Sequence, residues 1–203
     1  MLHQPGQPSA LTINFLLTGV GGQGTLLAAD IVALVGVDLG LDAKKSEIHG
    51  MAQRGGSVVS QVRWGTEVHS PIIGAGEADV MVAFERLEAL RYADQLRLGG
   101  ILLVNDYRIA PLSVTSGNDT YPTAEQEQSI YTGCLRMLLV PAMEIARDLG
   151  QARVSNMVLL GALSAQIAVD AGVWLAVIAR RVPERYLELN RAAFRAGRAY
   201  LEG

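Results

Sequence analysis

An apolar run, Leu11 to Leu17, passes into Gly19-Val20-Gly21-Gly22-Gln23-Gly24-Thr25 and from there into a stretch with helical spacing. No other feature restricts the fold of this chain as much. Gly19, Gly21 and Gly24 satisfy G-x-G-x-x-G between a predicted strand (13–18) and a predicted helix (26–39), the setting in which that pattern carries weight. Leu27, Ile31, Leu34, Val35 and Leu39 share one helical face, and Gly36 and Gly40 mark its end. Glycines let a backbone turn tightly and approach a ligand closely. A helix start adds unpaired N–H groups and the positive end of the dipole, which favour an anion. Gly19, Gly21, Gly22, Gln23, Gly24 and Thr25 are therefore candidate ligand-binding residues. A tight turn that binds nothing, or that packs on a partner's main chain, satisfies the same pattern.

A dinucleotide site needs an acidic residue at the end of the second strand, about 20 residues on, to hold the ribose. Here that region reads Ala43-Lys44-Lys45-Ser46, with Glu47 just beyond the lysines. A Walker loop is excluded, because no Gly-Lys-[Ser/Thr] follows the glycines.

The second glycine-rich run is Ser46-Glu47-Ile48-His49-Gly50-Met51-Ala52-Gln53-Arg54-Gly55-Gly56-Ser57. It gathers an acid, an imidazole, an amide and a guanidinium. Arg54 suits a carboxylate or phosphate, because its planar fork grips two oxygens at once; a salt bridge to Glu47 uses it equally well. His49 is the one catalytic candidate on this chain, and a hydrogen-bonded structural role is the simpler account. His3 and His69 are isolated, so no metal-ligand spacing is present. Glu85, where a strand passes into a helix, lies at an edge where ligands and partners dock, or favours the helix start through the dipole. Glu47, His49, Gln53, Arg54 and Glu85 are together expected to face a substrate or a partner.

The rest of the chain alternates strands and helices. Strands are predicted over 43–48, 57–64, 79–84, 101–104, 111–114 and 135–140, with 68–73 returning beside 57–64 as an antiparallel pair. Helices are predicted over 85–96, 124–131 and 141–149, then 158–169 capped by Ser155 or Asn156, 173–180, and one opened by Pro183. The first strand, helix and second strand form a βαβ unit. This order predicts an α/β protein: a three-layer α/β/α sandwich with a mostly parallel mixed sheet, a Rossmann-like start and a helical C-terminal third. Residues 1–10 form a disordered lead, and 11–203 a single domain.

Composition narrows the function. Half of the 203 residues are hydrophobic and 18% are charged, which fits a buried parallel sheet or a subunit that hides apolar surface. A net charge of −3 gives no footprint for nucleic acid. Cys134 is the single cysteine, too few for a disulfide or for an iron–sulfur cluster held by this chain alone. No secretory signal or bilayer-length apolar stretch is present, so a cytoplasmic chain is expected.

Gly19 to Thr25, Ser46 to Ser57, Ser70-Pro71, Ala78-Asp79, Phe84-Glu85 and Tyr121-Pro122 resemble the gamma-type subunit of 2-oxoacid:ferredoxin oxidoreductases. The His-Gly-Met-Ala-Gln-Arg-Gly-Gly form is most similar to the small subunit of the indolepyruvate enzymes. The resemblance implies an enzyme that oxidatively decarboxylates a 2-oxoacid with coenzyme A, giving an acyl-CoA and carbon dioxide and reducing ferredoxin. It implies thiamine diphosphate, magnesium and 4Fe–4S clusters on a large alpha subunit, and no tightly held cofactor or metal here. Coenzyme A is the candidate ligand for Gly19–Thr25 and Arg54. Ferredoxin is met through the complex, and the isolated chain is expected to be inactive and able to self-associate. Three alternatives stand beside it: a pyruvate- or 2-oxoglutarate-type gamma subunit, a free-standing nucleotide-binding oxidoreductase, and a purely architectural subunit.

Overall fold

The computed structural model describes residues 12–49, 56–131 and 136–202. The lead expected over 1–10 lies outside them, as do Gln53, Arg54 and Cys134. In chain order the elements are β1 (Ile13–Val20), α1 (Thr25–Asp38), β2 (Asp42–His49), β3 (Ser57–Gly65), β4 (Ala78–Ala83), α2 (Arg86–Arg91) and β5 (Leu96–Asn105). There follow α3 (Leu112–Thr115), α4 (Ala124–Tyr131), β6 (Arg136–Val140), α5 (Ala142–Asp148), α6 (Ser155–Ser164), α7 (Ala171–Arg181) and α8 (Glu184–Glu202).

The six strands form one mixed sheet in the order β2-β3-β1-β4-β5-β6. β1, β4, β5 and β6 run parallel, whereas β3 is antiparallel to both β1 and β2. The expected βαβ unit is therefore split: β2 is parallel to β1, but β3 lies between them. The predicted pairing of 57–64 with 68–73 does not form. Both edges of β3 are already bonded, so residues 66–77 run across the surface, where the Ile73 amide donates to Gln61 Oε1 at 3.1 Å.

Side chains alternate across the sheet, as the strand period requires. Phe15, Leu17, Val62, Trp64, Val80, Val82 and Leu103 face a large core shared with α1 and α5–α8. Leu16, Val59, Met81, Ala83, Leu102 and Val104 face a smaller core closed by Ala89, Leu90 and Tyr92 in and just after α2. In the large core Phe15, Trp64, Trp174 and Phe194 form a chain with ring centroids 4.5, 6.4 and 6.3 Å apart. Trp64 Nε1 donates to the Val32 carbonyl at 3.0 Å, which locks β3 to α1.

Four local expectations are corrected. The helix predicted over 85–96 ends at Arg91, and β5 begins at Leu96. Gly99-Gly100 sits in β5, with Gly99 at φ 77°, where the β4–β5 register shifts between Ala78 and Val80. Residues 112–115 form one helical turn rather than a strand, because Pro111 suits the entry to a turn and its carbonyl accepts from Val114 and Thr115. Ser155 and Asn156 do not cap α6 but lie inside it, since a 3-10 turn over Ala152–Val154 leads directly into the helix. That helix stops at Ser164, and Asp170 caps α7 by accepting from the Gly172 amide at 2.7 Å.

Candidate functional site at the carboxyl edge of the sheet

The parallel strands bring the ends of β1, β4, β5 and β6 to one edge, together with the end of β2 and the start of β3. After β1 the chain enters α1 over the large core, and after β4 it enters α2 over the small one. Neighbouring parallel strands whose connections leave to opposite faces open a crevice at their carboxyl ends. The glycine loop and Phe84–Arg86 border it.

The loop is braced from within. Gln23 Oε1 accepts from the Val20 amide at 2.7 Å, and its Nε2 donates to the Phe84 carbonyl at 2.9 Å. The Gly21 amide donates to the Gly56 carbonyl at 2.9 Å, tying the loop to the chain entering β3. A Cβ on Gly19 would lie 2.8 Å from Phe84 Cβ and Thr25 Oγ1. Gly24, at φ 79°, would place one 2.5 Å from Asn156 Nδ2. Of Gly19, Gly22 and Gly24, only Gly22, at φ 101°, faces open space. Gly19 and Gly24 thus serve self-packing, and Gly22 marks the face open to a ligand. α1 starts without a side-chain cap and without an acid in its first turn. Thr25 is 3% exposed, and its hydroxyl has no partner among the described residues.

Glu85 is buried and caps α2: its Oε2 accepts from the amides of Leu87 at 2.7 Å and Glu88 at 3.1 Å. Its Oε1 accepts from the Ile109 amide at 3.0 Å and from the Tyr121 hydroxyl. Burial, reinforced by the Glu85 carboxylate, pushes the Tyr121 hydroxyl well above its ordinary range and keeps it a donor. The Phe84-Glu85 and Tyr121-Pro122 pairs, distant in sequence, are one contact in space.

Two further charged groups were not legible in the sequence. Glu88, buried at the middle of α2, accepts from Ser57 Oγ at 2.5 Å, from Arg91 at 2.8 Å and from Thr18 Oγ1 at 3.4 Å. Tyr92 Oη lies 3.0 Å from Ser57 Oγ. Ser57 at the end of the second glycine run thus rivets the start of β3 to α2. Glu127, on α4 and 3% exposed, binds Arg86 and, at 2.9 Å, Arg108. The i,i+3 spacing of Glu88 and Arg91 was the one local hint. An open depression of about 480 Å³ lies beside these groups, lined by Leu87, Arg91, Pro122 and Gln126 among others.

Glu47 pairs with Lys45, which also binds Asp30, and Asp30 in turn binds Arg181 at 2.6 Å. Burial pushes the Asp30 carboxyl up, but the bonds from Lys45 and Arg181 outweigh it and hold the group below its ordinary range. The tip of β2, where a ribose-binding acid would stand, is thus occupied by an internal ion network. His49 is the last residue of β2, paired with Val58, and its side chain lies outside the described part. No group of three His, Cys, Asp or Glu suited to a metal occurs among the described residues, and no helix among them is long and apolar enough to cross a membrane.

Residues 14–200 match the family model described as pyruvate ferredoxin/flavodoxin oxidoreductase. The chain is 36% identical over 188 residues to the indolepyruvate oxidoreductase subunit IorB of Thermococcus kodakarensis, covering 91% of this chain and 93% of that protein. It is 30% identical over 186 residues to the 2-oxoglutarate synthase subunit KorC of Methanothermobacter thermautotrophicus, covering 90% and 91%. Among solved structures, the gamma subunit of keto/oxoacid ferredoxin oxidoreductase from Geobacter sulfurreducens superposes with a TM-score of 0.69 at 26% identity, over 94% of this chain and 99% of that one. A pyruvate oxidoreductase subunit from Thermotoga maritima shares the fold, with a TM-score of 0.69 at 22% identity over 92% and 94% of the two chains. With nearly its whole length matched, this chain belongs to the pyruvate ferredoxin/flavodoxin oxidoreductase family.

Proposed function

We propose that the chain is the gamma-type subunit of an indolepyruvate-type 2-oxoacid:ferredoxin oxidoreductase. The observation that carries this reading is the 34–36% identity, over 91–92% of the chain, to four IorB subunits. The 30% identity to KorC makes the 2-oxoglutarate type the second reading. In the proposed reaction a 2-oxoacid and coenzyme A give an acyl-CoA and carbon dioxide, and ferredoxin takes the electrons. Thiamine diphosphate, its magnesium and the 4Fe–4S clusters would belong to a large alpha subunit and would supply the decarboxylation and electron-transfer chemistry there. A single cysteine in this chain supports that division. The complex works in the cytoplasm, where it meets ferredoxin.

This chain's own part is to bind and position. The outward face of Gly22, the uncapped start of α1 and the unpartnered Thr25 hydroxyl fit a phosphate of coenzyme A. In this reading Arg54 supplies a guanidinium to the same anion, and Glu47, His49 and Gln53 serve the substrate or the alpha subunit. Residues 11–203 act as one domain in this role.

Co-expression with an alpha subunit tests the reading. The complex should reduce ferredoxin with indolepyruvate and coenzyme A, and this chain alone should not. Turnover by the chain alone, or a complex that accepts 2-oxoglutarate but no aryl pyruvate, would reject it. Titration of the complex with coenzyme A tests the phosphate site: G22V, which puts a side chain on the open face, and R54A, which removes one charge-assisted contact, should each weaken binding about tenfold. Unchanged affinity would leave the loop an architectural role, for which loss of co-purification in R54E is the signature.

A further inference from the structure

Residues 106–128 are attached to the molecule in an unusual way. Of their described side chains, none joins either apolar core, and the only buried one is the carboxylate of Glu127. Most of the others are exposed. Beyond the Asp106 amide, which donates to the Val140 carbonyl at 2.8 Å, the described side-chain fasteners of this stretch gather at a pair of consecutive residues of opposite charge at the start of α2. Glu85 Oε1 takes the Ile109 amide and the Tyr121 hydroxyl. Arg86 donates its amide to the Tyr107 carbonyl at 3.1 Å, its Nε to Asp106 at 2.8 Å and its Nη1 to Glu127. Arg108 closes the far side by binding Glu127 at 2.9 Å and lying over the Tyr121 ring at 5.4 Å.

Apolar burial ties a segment to global stability, whereas a few polar fasteners over little buried apolar surface let it open locally. The adjoining peptide carries the consequence. The Phe84 carbonyl, one residue before the clasp, accepts from Gln23 Nε2 at 2.9 Å and from Asn105 Nδ2 at 3.1 Å. Gln23 in turn holds the Val20 amide at the root of the glycine loop. We propose that residues 106–128 are a strap, clasped by Glu85 and Arg86, that opens without unfolding the rest of the molecule and whose opening loosens the glycine loop through Phe84. Clasped, it holds the loop in its braced form; open, it frees the edge of β4 and β5. The strap regulates the ligand face proposed above and rests on that reading only for its use, because the opening itself requires no ligand.

Amide hydrogen exchange on the full-length chain, without ligand, tests it with two conservative variants, Y121F and E127Q. Y121F removes one fastener, to Glu85, and E127Q weakens two, to Arg86 and Arg108, so peptides within 107–128 should exchange about tenfold faster or more. Peptides from α6 and α8 should exchange as in the unmodified chain, and a peptide spanning 19–27 should accelerate with the strap. Equal acceleration everywhere would mean that the segment opens only by global unfolding, and would overturn the proposal. So would unchanged exchange of 107–128 in both variants. Acceleration of the strap with an unmoved 19–27 peptide would overturn the coupling to the loop, and with it the regulatory role. Coenzyme A affinity enters none of these readouts, so failure of the ligand reading and failure of the strap are separate results.

Discussion

The contact between α6 and α8 and the clasp between α2 and residues 106–128 both join distant parts of the chain, by opposite means. At the first, the helices meet backbone to backbone. A Cβ on Gly161 would fall 1.9 Å from the Phe194 carbonyl oxygen, and one on Gly197 would fall 1.8 Å from that of Val158. At the second, carboxylates and guanidiniums carry the join, and little apolar surface is covered. The contrast explains how one molecule can have a rigid face and an adjustable one. Close packing has no intermediate positions, since a displaced helix loses its contacts together. A hydrogen-bonded clasp exchanges its partners for water at modest net cost.

The largest expected effect breaks the rigid side. G161A or G197A would drive a methyl into a carbonyl that cannot move without shifting a whole helix. Each should cost about 3 kcal/mol or more and lower Tm by roughly 6–12 °C in calorimetry, with exchange rising across the whole chain. A variant with an unchanged Tm would show that the helices are not in this contact.

Next comes E85A, on the adjustable side. It removes a helix cap and leaves the Ile109 amide and the Tyr121 hydroxyl without their acceptor, at a cost of about 1–3 kcal/mol. The loss should concentrate in exchange over 86–91 and 107–128. If instead α6 and α8 lose as much protection, the two regions are one cooperative unit and the comparison fails.

The glycine loop offers a finer test. Both Gly22 and Gly24 have positive φ, so alanine is strained at each by about 1 kcal/mol. Only G24A also meets Asn156, whereas G22A meets open space. G24A should therefore lower Tm by several degrees more than G22A. Equal effects would mean that Asn156 yields freely and that Gly24 is not held by packing.

The smallest expected effect is electrostatic. Asp30 has its folded pKa held below the ordinary 3.8 by Lys45 and Arg181 against the opposing push of burial. A depressed carboxylate contributes stability that is present above its unfolded value and is lost as pH falls through the folded one. D30N should therefore be less stable than the unmodified chain at neutral pH, and the gap should close below about pH 3.8 in urea titrations. A gap that persists at lower pH would assign the effect to packing rather than charge.

Much of this protein was legible locally. The apolar run into the glycines announced β1 and α1, the alternation of strands and helices announced a mixed α/β sheet, and Pro141 and Pro183 stand at the entries to α5 and α8. The candidate site was less so. That Gln23 braces the loop was not legible, and Glu88 and Glu127 gave no sign of being buried. A buried carboxylate is recognised by its partners, and Thr18, Ser57 and Arg108 lie far from them in the chain.

Period, turn residues and helix starts act within a few residues, so the order of residues alone determined most of the strands and helices, whereas the segment 68–73 was denied a strand by the bonding of both edges of β3. Insertion of β3 between β1 and β2, the fit of Gly161 and Gly197 into another helix's backbone, and the clasp at Glu85 and Arg86 were decided only in three dimensions. Each of these depends on which surfaces meet across long sequence separations, where shape and charge are matched pair by pair rather than by spacing along the chain.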